Sequence, residues 1–403
     1  MSLPAGFAAI DFEAYHRTVL PALLAGGRAR LAAETTAQLR SLALRVTDGA
    51  AFTYQPCDGG VAVVAGDDTA TTVLEIDLDA WQGLVHELEA PAGLVYAGRV
   101  RCRRGAAVDL MAWESALRAM YHGRPAYHPE RLDLRDRHGQ RLDPATTFTA
   151  AADGDDMAHF LRTAGYLFVR DVFGSDEVQQ LQREAEALSR EARPGDKLSW
   201  WGKTATGDEV LCRVTRGGAK PGLATLPTDP RLLGLVGLAD EPLIYNTGEG
   251  EGVTVIYKRP GMHEGLGDLP WHRDCGVGGH AVMCPTLLLS LYLREATPET
   301  GELAMLPGSH RAAFNAHDTR LDPLAHAAHF AARPGDVSLH YGDTVHAAPP
   351  PTAADRDHYR ISAVVCFAPA RARHHRGDAS YNDVLHQRQD GQIEHLDDVA
   401  RRL

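Results

Sequence analysis

The sequence predicts two folding units, a mixed α+β unit followed by an all-β unit of the sandwich or jelly-roll kind. Three observations carry this. At 403 residues the chain is longer than one ordinary core serves. Its first 122 residues interleave helix-spaced apolar runs with short strand-like runs, and a stretch rich in Pro, Asp, Arg and Gly then breaks the periodicity. From Val253 onward, short apolar runs alternate with Gly, Pro and Asp turns without regular helices between them.

In order, Phe12–Leu24 and Ala29–Leu44 have helical spacing, with Leu20, Leu23, Leu39 and Leu42 among the residues available for a core. Ala51–Tyr54, Val61–Val64 and Thr71–Leu78 read as strands, parted by Asp58-Gly59-Gly60 and Gly66-Asp67-Asp68. Asp79 is placed to cap a helix carrying Trp81, Leu84 and Leu88. A strand over Val95–Cys102 and a helix over Ala106–Tyr121 complete the unit. The boundaries expected are 1–127 for the first unit, 128–154 for a linker, 155–370 for the second unit and 371–403 for a tail. In the second unit Gly165 ends a helix ahead of the apolar Tyr166–Val169, and Ser175 caps the next helix. Residues 197–230 show no period and read as a long loop or lid. Strands are expected at Val253–Lys258, Thr286–Leu293, Leu303–Leu306, Val337–His340 and Tyr359–Phe367, and a last helix at Tyr381–His386.

Hydrophobic residues make up 44% and charged residues 23%, the balance of a globular protein rather than a disordered one. A net charge of −12 and a pI near 5.9 speak against a nucleic-acid partner and against a polybasic membrane anchor. Asp11 and Glu13 fall where a signal peptide needs an apolar core, and no apolar run is long enough for a membrane span. The six cysteines are scattered without a C-x-x-C pair, as expected of reduced thiols in a cytoplasmic protein. Oligomeric state is not legible.

The chemistry concentrates at Pro270-Trp271-His272-Arg273-Asp274. On an extended segment the period of two puts His272 and Asp274 on one face, where both can reach one metal ion. One His and one carboxylate from a strand, joined by a second His from elsewhere, make the facial ligand set of non-heme Fe(II) oxygenases. The spacing alone is common. With 20 His and 53 acidic residues, chance supplies His-x-acid about as often as the three cases seen, the others being His128-x-Glu130 and His395-x-Asp397. The motifs downstream of His272 single it out.

The stretch TTVLEIDLDAWQGLVHELEAPAGLVYAGRVRCRRGAAVDLMAWESALRAMY resembles the sterol-carrier-protein-like fold, in its order of strand, helix entered through Asp-x-Trp, strand and terminal helix. That resemblance covers roughly residues 45–122 and implies a small α/β sterol-carrier-like domain with an apolar pocket for a lipid-like ligand. A domain kept only for packing or dimerisation is the alternative.

The second unit is similar to the phytanoyl-CoA dioxygenase family of iron(II)- and 2-oxoglutarate-dependent oxygenases. Four features stand in the family's order across roughly 155–370: FLRTAGYLFVRDVF, PWHRD, TGELAMLPGSHR, and RPGDVSLHYGDTVHAAPP with HYRISAVVCFA behind it. The resemblance implies a double-stranded β-helix, a cupin-like jelly roll. It implies His272, Asp274 and His346 as iron ligands, with His340 at a position the family does not use for metal and His310 in a structural turn. It also implies Arg360 as the residue holding the distal carboxylate of 2-oxoglutarate.

Physical chemistry agrees with these roles. Three protein donors leave three positions on octahedral iron, two for a keto-acid chelate and one for O₂. A guanidinium meets a carboxylate bidentately, as Lys cannot. By alternation Ser362 shares the face of Arg360 and is a candidate for a second hydrogen bond to the same carboxylate, and Arg356 is the nearest competitor. A carboxylate at Asp274, where related halogenases carry a small residue, favours oxygen chemistry, with cyclisation, desaturation and epimerisation open to the same ligand set. Cys275 reads as filler beside it, while Tyr257, Lys258, Trp201 and Trp271 are candidates for the substrate cavity. The expected function is an Fe(II)/2-oxoglutarate-dependent dioxygenase that hydroxylates a C–H bond of a small organic substrate, with a non-catalytic jelly-roll binding or carrier protein as the alternative.

Overall fold

The structure, a computed structural model, describes residues 7–96, 98–245, 252–264, 269–275, 285–314 and 321–370. Its first unit is laid around a five-stranded sheet. The central strand Leu42–Val46 pairs antiparallel with Ala51–Cys57 and parallel with Thr72–Ile76, and Gly60–Ala65 and Val100–Arg104 form the edges. This corrects the helix expected over Ala29–Leu44. The helix stops at Thr36, and Leu42, Ala43 and Leu44 are fully buried strand residues. A short apolar run fits a buried strand as well as a buried helix, so periodicity cannot separate them.

Helical segments from Phe12 to Thr36 precede the sheet, widened to π-helical turns at Tyr15–Val19 and Leu24–Arg28 and kinked where Gly27 takes a φ of 109°. Asp77 rather than Asp79 caps the helix Leu78–Val85, its carboxylate accepting the Ala80 N–H at 2.6 Å. Asp79 lies in the first turn and pairs with Arg99 at 3.0 Å. Pro91, preset for a first helical position, opens the helix Pro91–Tyr96, so the strand expected from Val95 begins only at Val100. The final helix is two, Val108–Ala112 and Glu114–His122.

Trp81, Trp113 and Tyr54 fill the space between sheet and helices without any exposure. Among them His16 contacts the Phe12 carbonyl through Nδ1 at 2.7 Å and the Tyr54 hydroxyl through Nε2 at 2.6 Å. Burial pushes its pKa down from 6.5 to about 4. A depressed folded pKa means the neutral ring's stabilisation is complete above pH 6.5 and is lost as the pH falls towards 4. At about 1.4 kcal/mol per unit, that loss approaches roughly 3 kcal/mol. Denaturation of wild type and His16→Gln at pH 7 and pH 4 should show a stability difference that shrinks on acidification. A difference independent of pH would contradict this.

In the second unit, Asp153 caps the helix Gly154–Ala164, and Gly165 with a φ of 93° ends it as expected. Gly174 rather than Ser175 caps Ser175–Glu191, with Glu177 accepting the Gly174 N–H at 3.3 Å. Two sheets make up the rest. The larger runs, in spatial order, Met262–Glu264, Ser199–Thr204, Glu209–Val214, Val253–Lys258, Arg360–Ala368, Leu287–Tyr292, Val337–Tyr341, Tyr166–Arg170 and Phe148–Thr149. The smaller runs Leu269–His272, His346–Ala348, Leu303–Met305 and Ala328–Phe330. One apolar core joins them, with Phe168 of the larger stacked on Phe330 of the smaller at 5.0 Å between ring centroids.

The lid expected at 197–230 is instead a hairpin at the edge of the large sheet. Arg213 covers the Trp200 ring at 4.2 Å, and 3₁₀ turns come after the hairpin. Residues 128–154 touch both units: His128 and Arg131 pair with Glu34 of the first at 2.6 and 3.1 Å, while Leu142 enters the core of the second and Phe148–Thr149 pairs in parallel with Tyr166–Arg170. The expected helix Tyr381–His386 and His395-x-Asp397 lie outside the described residues. Among the described residues no helix is long and apolar enough to cross a membrane.

Candidate metal centre

Strand pairing brings the candidate ligands together. Leu269–His272 runs antiparallel to His346–Ala348 with His272 opposite His346. Just past the strand, the N–H groups of Asp274 and Cys275 both donate to the Gly342 carbonyl, at 2.9 and 3.1 Å. Gly342 permits this approach because a Cβ there would stand 2.5 Å from Cys275 Sγ. Cys275 is thus half-buried packing against the turn that precedes His346.

Donor atoms of His272, Asp274 and His346 lie within 4.8 Å of one another. Both imidazole Nε2 atoms stand 3.6 Å from an Asp274 oxygen, His272 from Oδ1 and His346 from Oδ2. Around an ion held at about 2.1 Å, neighbouring donors are roughly 3–3.5 Å apart, so this nitrogen and oxygen set fits a metal with a small inward adjustment. His346 Nδ1 donates to the Thr344 carbonyl at 2.9 Å, which leaves the Nε2 lone pair facing the other two residues. Burial first, and then the His272 and His340 rings, hold its pKa well below the ordinary range against the pull of Asp274. A neutral imidazole is the form that ligates.

His340, set aside by resemblance, stands beside this cluster. Its Nε2 is 3.2 Å from Asp274 Oδ2 and its ring is 4.4 Å from that of His346. Its Nδ1 is buried without a hydrogen-bond partner among the described residues. His310 is elsewhere, stacked on Tyr341 with Nε2 3.1 Å from the Arg162 carbonyl.

Arg360 and Ser362 are buried at the start of the strand Arg360–Ala368. Arg360 Nη1 donates to the Gly301 carbonyl at 2.7 Å, its Nε has no partner, and among the described residues no carboxylate pairs with it. Burial pushes its pKa down, with Tyr292 opposing. Across the ladder from Arg360 is Lys258, whose ammonium donates at 2.6 Å to the carbonyl of Ala348, two residues beyond His346. Arg356 is exposed.

Of the other cavity candidates, Tyr257 is core, its hydroxyl donating to the Ala185 carbonyl. Trp271 packs near Tyr127, Leu306 and Phe314, and Trp201 borders a separate cavity of about 260 Å³ with Arg259 and Arg356. A cavity of about 130 Å³ lies between the two units, lined by groups such as Glu87, Arg118, His122, Cys275 and Asp343. Apolar side chains such as Leu84, Pro91 and Leu117 share its lining with these charged groups.

Residues 161–357 match the phytanoyl-CoA dioxygenase family. The matched segment contains His272, Asp274, His340 and His346, while Arg360 lies just beyond its end and the first unit wholly outside it. No curated protein matches the sequence. Similar solved structures include AviO1 from Streptomyces viridochromogenes, at 23% identity over 55% of this chain and 97% of that one, with a TM-score of 0.43. The epimerase SnoN from nogalamycin biosynthesis, described as non-heme and α-ketoglutarate dependent, gives 20% identity over 57% and 88%, TM-score 0.46. EctD from S. alaskensis, solved with 2-oxoglutarate and 5-hydroxyectoine, gives 22% over 64% and 96%, TM-score 0.46.

Proposed function

We propose that this chain is an Fe(II)/2-oxoglutarate-dependent oxygenase, with His272, Asp274 and His346 holding the metal and Arg360, aided by Ser362, holding the distal carboxylate of 2-oxoglutarate. The reaction is most simply hydroxylation of a C–H bond in a small organic molecule, with release of succinate and CO₂. The convergence of two imidazoles and one carboxylate within 4.8 Å carries the reading. The two packed sheets are read as a double-stranded β-helix, and the five-stranded first unit as sterol-carrier-like. Cys57, Cys102 and Cys212 carry free thiols, which supports a reducing, cytoplasmic setting.

When bound, the ferrous ion supplies the redox chemistry that couples O₂ to loss of CO₂ from the keto acid. The chain supplies the rest. Asp274 offsets part of the metal's charge, and the Thr344 carbonyl fixes the His346 tautomer. Arg360 is a buried cation with no protein counter-ion among the described residues, an arrangement that favours an anionic ligand.

Succinate formation from 2-oxoglutarate, dependent on added Fe(II) and O₂, tests the proposal. Metal and keto-acid binding without succinate, even in a broad substrate screen, would favour the non-catalytic binding protein. His340 is read as a hydrogen-bond donor that steadies Asp274. His340→Ala should weaken Fe(II) binding by the roughly 10- to 100-fold typical of such supports, measured calorimetrically on apoprotein. An unchanged affinity would remove His340 from the site.

A further inference from the structure

Arg273 stands between two proposed ligands, and its side chain reaches the first unit. Its guanidinium pairs with Glu114, on the helix Glu114–His122, and lies 3.8 Å from Asp343 Oδ1. Asp343 precedes His346 by three residues, in the turn whose Gly342 carbonyl binds the backbone of Asp274. Its Oδ2 faces Arg118 at 3.2 Å and Arg124 at 3.6 Å. Both arginines also pair with Glu87, at 3.0 and 2.8 Å, and Arg124 further donates to the His310 carbonyl at 3.0 Å. Three guanidiniums thus balance three carboxylates. Four of the six groups come from the first unit, and the other two from the segments that carry all three candidate ligands.

We propose that the amino-terminal unit is a working part of the metal centre: Glu114, Glu87, Arg118 and Arg124, acting through Arg273 and Asp343, are positioning residues that set the spacing of His272, Asp274 and His346. This rests on those three residues being the metal ligands. Ion pairs often join domains merely as adhesive. These differ in their endpoints, one residue from His272 and Asp274 and three from His346. The Arg273, Arg118 and Asp343 side chains are only 9%, 14% and 7% exposed, so solvent screens the network weakly. Removing one partner leaves a buried charge uncompensated and moves its neighbours.

The test is Co(II) titration of full-length apoprotein, with thermal unfolding measured on the same samples. Glu114→Gln should bind Co(II) at least about 10-fold more weakly than wild type while remaining folded, the scale seen when the support of a ligand is lost. The conservative Glu114→Asp, which keeps the negative charge beside Arg273, should retain most of the wild-type affinity. Asp67→Asn, which breaks the remote Arg45–Asp67 pair of 2.7 Å, should leave metal affinity unchanged. Should Glu114→Gln not fold, Arg124→Gln serves in its place. A lowered melting temperature with wild-type Co(II) affinity would overturn the proposal and leave the ligand assignment standing. Wild-type protein that binds no Co(II) would overturn both.

Discussion

Replacing Asp274 by Ala should abolish Fe(II)-dependent succinate formation and weaken metal binding by more than the roughly 100-fold that marks the upper end for loss of a ligand's support. Two Nε2 atoms face this carboxylate at 3.6 Å and a third, from His340, at 3.2 Å. Without it the cluster keeps only neutral donors and loses the charge that offsets a divalent ion. His346→Ala should behave alike, because the Nε2 it removes is the one presented by the Thr344 hydrogen bond. Calorimetric titration of apoprotein, with circular dichroism to verify folding, checks both. An Asp274→Ala protein that binds Fe(II) as wild type does would sink the assignment.

Arg360→Ala should raise the KM for 2-oxoglutarate by about two orders of magnitude and change kcat far less. Removing a bidentate guanidinium–carboxylate pair from a dry site costs roughly 3 kcal/mol, and each 1.4 kcal/mol is about tenfold. Arg360→Lys should not rescue it, since an ammonium lacks the planar fork. Stability offers an independent check. A buried guanidinium without a counter-ion opposes folding, so Arg360→Met should leave the ligand-free protein as stable as wild type or more so. An unchanged KM, or an equal rise from exposed Arg356→Ala, would remove Arg360 from the co-substrate site.

Legibility depends on how local each signal is. Val253–Lys258 forms the strand expected of it, residue for residue, because alternation and a nearby Pro mark it within its own length. His272 and Asp274 are legible from a spacing of two and His346 only from the motif around it, and all three meet. The helix expected over Ala29–Leu44 fails where one apolar run serves helix or strand equally. The 199–214 hairpin escapes notice because Trp200-Trp201 and Val210-Leu211-Cys212 run consecutively instead of alternating, with the pairing register shifting between the two tryptophans. Arg273 and Glu114 carry no mutual signal in sequence, being 159 residues apart. His340 is visible, yet its distance from Asp274 depends on how the Val337–Tyr341 strand registers against its neighbours, which one chain's pattern does not specify.

The crossing at Gly342 has a consequence for variation in this protein. Its backbone is not in the left-handed region, so a larger residue there would be free of torsional strain and would fail only on bulk. One methyl group would press on the sulfur of Cys275 and prise apart the loops that carry the three donors. Trimming Cys275 to Ala in the same molecule would vacate that room, so among descendants a larger residue at 342 should occur only beside a smaller one at 275.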